Sequence, residues 1–352
     1  MKSAVLIEKQ VNLETLNTFG LPARAAFLVR VTDEDDVRAI IADRMIGSLP
    51  RFILGGGSNV VFTGDLQALV LKVEVPGLDL LETRPDAWIV QAGAGESWHG
   101  LVEWTLARDL PGLENLALIP GTVGAAPVQN IGAYGLELAD RFESLDIVEL
   151  ATGRTRTLFR EDCRFGYRDS IFKRDLAGTC LITRVRLRLP RPWQPVLDYP
   201  DLARLAAESV APLTPIGIFD RICSVRRSKL PDPAEIGSAG SFFKNPVISA
   251  AQFRALAERE PGIVHFSLPD GDYKLAAGWL IEACGWKGRN MGGAGVHDRQ
   301  ALVLVNRGQA RGREVMALAA AIQESVFNRF GVLLEPEPIV LGGTDDLLSP
   351  SR

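Results

Sequence analysis

The chain has 352 residues, 47% of them hydrophobic, and a formal net charge of −4. This length predicts two or three domains, and the small negative charge excludes a protein that is held on nucleic acid or anionic membranes by bulk charge. The longest apolar stretches end well before the roughly 20 residues that a membrane-spanning helix needs.

The N-terminus and the cysteines both indicate a cellular compartment. The first eight residues lack the extended apolar core of a signal peptide. Four cysteines lie far apart, without CxxC spacing, and three histidines are dispersed. We therefore expect a cytoplasmic protein without a metal site, whose reduced core cysteines are Cys163, Cys180, Cys223 and Cys284.

The first 75 or so residues predict a small α/β unit. Thr32 can cap a helix that reaches Arg44, and the acidic residues that follow Thr32 complement the helix dipole. Residues 51–54 predict a short buried strand that runs into the glycine-rich stretch 55–59. A second strand is predicted at 69–73.

The next segment, up to about residue 228, predicts a mixed unit with several strands. Ser97 is placed to cap a helix. Residues 181–189 alternate apolar side chains with arginines, which is the period of a strand with one solvated face. Two other strands are joined by a short turn and predict a hairpin. The predicted strands are 88–92, 145–150, 154–159 and 181–189.

Residues from about 229 to 330 predict three helices. The first follows Ser249 and Gln252, which have capping-box spacing. The second covers 274–284 and ends at a glycine, a natural left-handed stop. The third ends at Gly331 and carries an apolar stripe. That stripe is formed by Val315, Leu318, Ala319, Ile322 and Val326.

Two glycine-rich loops are candidates for holding a dinucleotide. They are 55–59 and 119–127, the latter extended by 129–135. Glycine lets the backbone approach a ligand, and backbone amides can neutralise a pyrophosphate without net positive charge. Neither loop is a dinucleotide-binding fingerprint, since Val60 stands where a third small residue is needed. Ordinary turns and a pyrophosphate-bearing cofactor both remain open.

The most informative stretch is 240–246, Gly-Ser-Phe-Phe-Lys-Asn-Pro. Gly240 allows a backbone angle that other residues avoid, and the two phenylalanines can exclude water around Ser241. Asn245 is pushed towards an extended conformation by the proline that follows. The stretch fits either a buried loop between two elements or a positioned hydroxyl.

Eight short motifs follow one another along nearly the whole chain, at 17–20, 55–59, 112–121, 163–170, 229–233, 240–246, 278–281 and 334–337. The sequence resembles the bacterial UDP-N-acetylenolpyruvoylglucosamine reductases (UDP-N-acetylmuramate dehydrogenases), in the form with a substrate-capping loop. Any one motif is moderately specific, whereas all of them in this order are highly specific.

The resemblance implies an α+β fold. It consists of a two-part FAD-binding module of the vanillyl-alcohol oxidase type and an inserted α/β substrate-binding domain. The implied boundaries are 1–77 for the first FAD-binding subdomain, 78–228 together with 331–352 for the second, and 229–330 for the substrate-binding domain.

The resemblance also implies the reaction. NADPH reduces a non-covalently bound FAD, and the flavin then passes a hydride to the vinyl carbon of UDP-N-acetylglucosamine enolpyruvate in peptidoglycan precursor synthesis. Ser241 matches the proton donor of the family. Arg168 and Glu335 match the groups that stabilise the developing charge, and Glu335 would have to be protonated to do so. The matching cofactor positions are Gly55, Gly56, Gly57, Ser58, Asn59, Pro120, Gly121, Thr122, Gly124, Ala125, Asn130, Gly132 and Ala133.

The substrate side shows one departure from the family pattern. Phe266 stands where the family places a tyrosine, so the hydroxyl is lost and only the ring surface is kept. Tyr273 is a candidate to compensate. The resemblance implies a small-molecule substrate, the charge balance predicts no binding to nucleic acid or membrane, and we expect a monomer. The matching substrate positions are Tyr167, Tyr199, Lys229, Asn245, Phe266, Lys287 and Gln300.

Two other functions are weighed against this one. A flavin oxidase with the same cofactor fold often tethers FAD through His or Cys in the first domain, and residues 1–98 contain neither. A non-catalytic nucleotide-sugar binding protein would need the phosphate-facing residues but not Ser241, Arg168 and Glu335 together. Both alternatives are therefore less favoured than the reductase.

Overall fold

The computed structural model describes residues 5–208 and 212–342. The two ends of the chain, 1–4 and 343–352, lie outside this part, and the expectations about a signal segment and about the return of 331–352 partly fall on them. Within the described ranges, no helix combines the length and the apolarity that crossing a bilayer requires.

Eight α-helices are present in the described ranges, besides several short 3-10 turns. They are α1 (Glu34–Ala42), α2 (Trp98–Leu106), α3 (Arg160–Cys163), α4 (Pro200–Glu208), α5 (Pro215–Lys229), α6 (Ala250–Arg259), α7 (Ala277–Ala283) and α8 (Gly312–Phe330).

The strands of the same ranges are mostly short. They are β1 (Glu8–Asn12), β2 (Arg24–Val31), β3 (Arg51–Leu54), β4 (Val60–Phe62), β5 (Leu66–Val73), β6 (Leu78–Thr83), β7 (Ala87–Gly93), β8 (Gly132–Ala133), β9 (Leu136–Glu137), β10 (Phe142–Glu149), β11 (Thr155–Phe159), β12 (Cys180–Pro190), β13 (Ser238–Ser241), β14 (Val247–Ile248), β15 (His265–Ser267), β16 (Tyr273–Leu275), β17 (Asn290–Met291), β18 (Ala294–Val296), β19 (Val303–Asn306) and β20 (Ile339–Leu341).

The first sheet has the order β1-β2-β5-β3, with parallel pairing of β5 to both β2 and β3. β5 is buried along most of its length, as expected for a strand covered on both faces. Helix α1 begins one residue later than predicted, because the Asp33 carboxylate rather than Thr32 accepts the bonds from the first free amides. Thr32 instead donates to Asp36.

The second sheet is antiparallel, with the order β11-β10-β12-β7-β6. It contains the predicted hairpin, β10 with β11, and the predicted alternating strand, β12. The capping of α2 by Ser97 is also confirmed. The apolar side chains of this sheet and of α2 belong to one large hydrophobic core.

A second hydrophobic core lies under two small sheets, β13-β19-β18-β17 and β14-β16-β15. The predicted apolar stripe of α8 is buried in this core, and α8 ends at Gly331 in the left-handed conformation. Helix α7 is shorter than predicted. Residues 273–275 form β16 instead, because they pair with β14 and β15, and α7 begins only at Ala277.

The last described strand returns to the start of the chain. β20 pairs in parallel with β4, and Thr63 donates a further bond to the Leu341 carbonyl. The segment that follows α8 is therefore fixed beside the glycine-rich stretch 55–59. The domain boundaries remain a prediction. Residues 339–341, which were predicted to belong to the second subdomain, pair with a strand of the first predicted subdomain.

Candidate functional site

The two predicted glycine-rich loops pack directly against each other. A Cβ atom on Gly55 would lie 2.7 Å from Thr122 Oγ1, and one on Gly56 would lie 2.8 Å from the Cα atom of Gly121. The Ser58 hydroxyl donates to the Pro120 carbonyl at 3.2 Å. Only glycine allows backbones to approach this closely. The two loops therefore form one feature of the surface.

Two polar groups at these loops suit a phosphate-bearing ligand. The Thr122 hydroxyl oxygen is buried and has no hydrogen-bond partner among the described residues. Buried polar atoms are almost always paired, so this one is available for a ligand. Behind the first loop, Lys72 Nζ donates to the Gly55 carbonyl at 2.6 Å, and burial lowers the pKa of this lysine. Its positive charge favours an anion at the loop.

Asn59 joins the first loop to the C-terminal part of the chain. Its side-chain amide donates to Gln129 Oε1 at 2.8 Å and to the Glu337 carbonyl at 3.3 Å. Its own carbonyl accepts a bond from the Ile339 amide at 3.0 Å. The predicted cofactor loop is thus connected by hydrogen bonds to the segment 335–341.

The Ser241 motif pairs with the same C-terminal segment. The Glu337 amide donates to the Phe242 carbonyl, the Lys244 amide donates to the Glu335 carbonyl, and Phe243 forms an antiparallel bridge with Pro336. Ser241 itself ends β13 and is exposed. The two phenylalanines behind it are buried and pack edge to face. These bonds place Glu337 beside Phe242, the residue after Ser241.

Arg168 lies in a tight turn whose ends, Gly166 and Asp169, bond to each other in both directions. Its φ of 54° lies in the left-handed region, which residues with a side chain rarely adopt. Its guanidinium donates to the Gly132 carbonyl at 2.9 Å and lies 3.3 Å from the Glu337 carboxylate. Arg168 therefore combines an uncommon backbone conformation with a largely buried ion pair, features that are frequent at functional sites.

The carboxylate that faces Arg168 belongs to Glu337, not to the predicted Glu335. The Glu337 side chain is 11% exposed, and burial raises its pKa although Arg168 and Lys173 oppose this shift. The Glu335 side chain is 69% exposed and forms an ion pair with Lys244. Glu335 thus lies apart from Arg168, and Glu337 is the glutamate of the 334–337 motif whose carboxylate meets the guanidinium.

A second group of side chains surrounds Tyr167. The Lys274 ammonium lies 4.8 Å from the centre of the Tyr167 ring and 5.9 Å from that of Phe266, and the Arg168 guanidinium lies 5.3 Å from the Tyr167 ring. Phe266 and Lys274 are direct partners across β15 and β16. Burial raises the pKa of the Tyr167 phenol. Lys274 was not among the predicted site residues.

Tyr273, the candidate to compensate for the hydroxyl that Phe266 lacks, packs away from Lys274 and Phe266. It precedes Lys274 in β16 and therefore points to the opposite face of the strand. There it stacks on Phe253 with 4.0 Å between ring centres. Phe266, at 43% exposure, keeps its ring open to a ligand.

Three predicted cofactor positions, Asn130, Gly132 and Ala133, belong to the extension 129–135 of the second loop, where Asn130 and Gly132 bond to the turn that carries Arg168. Gly132 and Ala133 form β8, which pairs with β9. The Asn130 side chain is buried and bonds only to protein groups, namely Glu137, Gly166 and Ala139. It has no free group to offer a cofactor.

The remaining predicted substrate positions are spread over several elements. Lys229 ends α5 and pairs with Asp201, whereas Lys287 pairs with Glu282. The Asn245 side-chain oxygen accepts a hydrogen bond from the Ala277 amide, the first of α7, at 3.0 Å. The Gln300 side chain lies next to Gly278, which is the second residue of α7. Two predicted positions, Asn245 and Gln300, therefore lie together at the start of α7.

Tyr199 is accompanied by an arginine that the sequence did not single out. Its ring packs edge to face on Tyr134, with 4.9 Å between ring centres. The Arg226 side chain interacts with the Tyr134 phenol, and its Nε is buried without a hydrogen-bond partner among the described residues. A buried unpaired donor suits an anionic ligand. The run Arg226-Arg227-Ser228-Lys229 was visible in the sequence, but its burial was not.

Two parts of the chain match models of known protein families. Residues 232–341 match the family model of the C-terminal domain of UDP-N-acetylenolpyruvoylglucosamine reductase, and residues 25–158 match that of an FAD binding domain. A UDP-N-acetylenolpyruvoylglucosamine reductase of Azoarcus sp. strain BH72 is 58% identical over 95% of this chain and 97% of its own length. One from Paraburkholderia phytofirmans is 59% identical over 94% and 96%, respectively.

A solved structure agrees with the sequence matches. The crystal structure of UDP-N-acetylenolpyruvylglucosamine reductase from Thermus caldophilus is 25% identical, covers 96% of this chain and 99% of its own, and superposes with a TM-score of 0.67. Together, these matches confirm the resemblance and the α+β fold with its FAD-binding module.

The contact between the glycine loops predicts which glycine the cofactor depends on. Gly56→Ala should weaken FAD binding by about tenfold or more, equivalent to about 1.4 kcal/mol, because its new methyl group pushes the two loops apart. Quenching of FAD fluorescence on titration measures this affinity. Gly64→Ala is the matched control, since a Cβ there meets no atom within 4 Å. Equal affinities of the two variants would contradict the assignment.

Proposed function

The chain belongs to the UDP-N-acetylenolpyruvoylglucosamine reductase family of flavin-dependent oxidoreductases, and from that premise we propose that it reduces UDP-N-acetylglucosamine enolpyruvate to UDP-N-acetylmuramate with electrons from NADPH. The proposed setting is peptidoglycan precursor synthesis by a cytoplasmic monomer whose partners are small molecules. The observation that carries the proposal is the largely buried ion pair of Arg168 and Glu337, since the Glu337 backbone is hydrogen-bonded to Phe242, the residue after Ser241.

The residues present fit FAD, which supplies the hydride chemistry when it is bound. We propose that it is held non-covalently between the loops 55–59 and 119–127. The unpaired Thr122 hydroxyl, the charge of Lys72 and the close glycine backbones support this location.

Arg168 provides a positive charge for the reacting acid group of the substrate, and Glu337 provides a carboxyl group beside it. Adding a hydride to the vinyl carbon leaves a carbanion beside a carboxylate, and the negative charge spreads onto the carboxylate oxygens. A guanidinium can bind two such oxygens at once. Glu337 helps only as a hydrogen-bond donor, that is, when protonated. The raised pKa that burial gives this carboxyl favours that form.

Ser241 is proposed to give the carbanion its proton. Its position at the exposed end of β13 leaves the hydroxyl open to substrate, while the buried rings of Phe242 and Phe243 fix the backbone behind it. A serine hydroxyl is a weak acid, so this step needs a very basic carbon, as a carbanion is. Positioned proton transfer contributes roughly 10²–10⁴-fold to a rate.

Substrate recognition is proposed to involve two groups of residues. Lysine and arginine suit a diphosphate, and Arg226 joins the predicted positions because its buried Nε is unpaired within the described ranges. The aromatic rings of Tyr167 and Phe266, with Lys274 between them, form the proposed cover over the sugar nucleotide. The proposed diphosphate and nucleotide contacts are Tyr199, Arg226, Lys229, Asn245, Lys287 and Gln300.

An anaerobic titration of the purified protein tests the proposed function. With FAD bound, NADPH should bleach the visible flavin band, and UDP-N-acetylglucosamine enolpyruvate should restore it. Bleaching without recovery would refute the proposed substrate but would still support an NADPH-dependent flavoprotein. A protein that shows no flavin band even with added FAD would overturn the proposal as a whole.

Ser241→Ala separates the two half-reactions. We expect the variant to bind FAD and to be bleached by NADPH at the normal rate, because Ser241 has no part in that step. Recovery of the band on addition of the enolpyruvyl sugar should slow by about 10²-fold or more, since the proton donor is lost. Stopped-flow absorbance measures both rates, and a normal recovery rate would refute the role of Ser241.

The two glutamates provide a matched pair of variants. Glu337→Ala should slow recovery of the flavin band by about 10²–10³-fold, the usual effect of losing one donor to a developing oxyanion. Glu335→Ala should have a small effect, because that side chain is 69% exposed. Bleaching by NADPH serves as the control for both. A larger loss in Glu335→Ala than in Glu337→Ala would reverse the assignment.

The pKa of Glu337 predicts the direction of a pH effect. Its carboxyl must be protonated to donate, and burial raises its pKa, so the recovery rate should fall as pH rises through that pKa. Glu337→Gln keeps a donor that does not titrate. Its recovery rate should therefore lack this alkaline decrease, as single-turnover rates from pH 5 to pH 9 would show. An unchanged pH profile in the variant would exclude Glu337 as the titrating group.

A further inference from the structure

Asn130 is a buried asparagine with every side-chain group in use. Its amide nitrogen donates to Glu137 Oε2 at 2.7 Å and to the Gly166 carbonyl at 3.1 Å. Its amide oxygen accepts a bond from the Ala139 backbone at 2.9 Å. The side chain is 1% exposed and its φ is 45°, in the left-handed region. Asparagine is one of the few residue types that tolerate this conformation.

The two groups that receive the Asn130 donors are those next to Arg168. Gly166 opens the tight turn that carries Arg168 in its strained conformation. Glu137 lies in β9, opposite Gly132 in β8, and the Gly132 carbonyl accepts the bond from the Arg168 guanidinium. One buried amide therefore joins the turn that carries Arg168 to the hairpin that receives its side chain.

The space around Gly132 shows how tightly these parts fit. A Cβ atom at this position would lie 2.9 Å from Glu137 Cγ and 3.3 Å from Arg168 Nη1. Arg168 is thus enclosed between β8, Glu137 and Glu337. A strained backbone persists only where its surroundings determine it, and the bond from Asn130 to Gly166 belongs to those surroundings.

We infer that Asn130 is a positioning residue. It holds the Arg168 guanidinium where it can bind the carboxylate of the substrate. This inference rests on the proposed function, in which Arg168 stabilises the developing charge. It replaces the predicted role of Asn130 as a cofactor contact, because its two donors and its oxygen are bound within the chain. A small displacement of a positioned charge is sufficient to slow a reaction strongly.

Asn130→Gly tests the inference, because glycine keeps the left-handed backbone and removes only the amide. Recovery of the flavin band by the enolpyruvyl sugar should slow by about 10- to 100-fold. FAD affinity and bleaching by NADPH should stay within about twofold. Asn306→Ala is the control, since it removes a comparable amide that bonds to Phe19, Gly20, Gly308 and Ala310, away from Arg168.

A double-mutant cycle with Arg168→Ala distinguishes positioning from a merely structural role. If Asn130 acts through Arg168, the double variant should recover the band as slowly as Arg168→Ala alone. Additive losses, or a normal recovery rate in Asn130→Gly, would overturn the inference. Should Asn130→Gly fail to fold, Asn130→Asp, which keeps the shape but loses both donors, takes its place in the same cycle.

A failure of the proposed function would look different. In that case the wild-type protein itself would not recover the flavin band. The inference would then be decided by a crystal structure of Asn130→Gly. A guanidinium of Arg168 that has left the Gly132 carbonyl would support it, and an unmoved guanidinium would refute it.

Discussion

The arrangement of the candidate site depends on how one short segment, 335–341, is fixed on two sides. On one side its backbone pairs with 242–244, beside Ser241. On the other side it pairs with β4 and accepts the amide of Asn59. These contacts connect parts of the chain that are almost 280 residues apart. The segment therefore joins the first glycine-rich loop, the Ser241 motif and Glu337 in one region of the molecule.

Burial gives the pair of Arg168 and Glu337 its chemical character. Moving both charges out of water costs energy that their attraction only partly returns, so a buried ion pair is weak evidence for stability. The same burial raises the pKa of Glu337, and a carboxyl that gains a proton readily can donate a hydrogen bond. The left-handed backbone of Arg168 is a second local cost. Both costs fall at the site where the proposed chemistry takes place, which is where strain is usually found in enzymes.

Much of this site could be predicted because its signals are local. Glycines in a row and a serine between glycine and two phenylalanines mark special backbone in any context, and the structure joins the two predicted loops. The choice between Glu335 and Glu337 could not be made in this way. Two glutamates that flank Pro336 look equivalent in sequence, and only the pairing with 242–244 and the burial beside Arg168 distinguish them. Lys72, Arg226 and the hydrogen bonds of Asn130 were missed for the same reason, since they depend on contacts between distant segments. The helix predicted from residue 274 failed because strand pairing overrode its local pattern.

A crystal structure of the protein with FAD and UDP-N-acetylglucosamine enolpyruvate tests the account most directly. We expect FAD to lie between the loops 55–59 and 119–127, with Arg168 and Glu337 both within hydrogen-bond distance of the enolpyruvyl carboxylate. Ser241 should face the carbon that receives the proton. A carboxylate bound by Glu335 instead of Glu337, or a substrate bound away from Ser241, would contradict it.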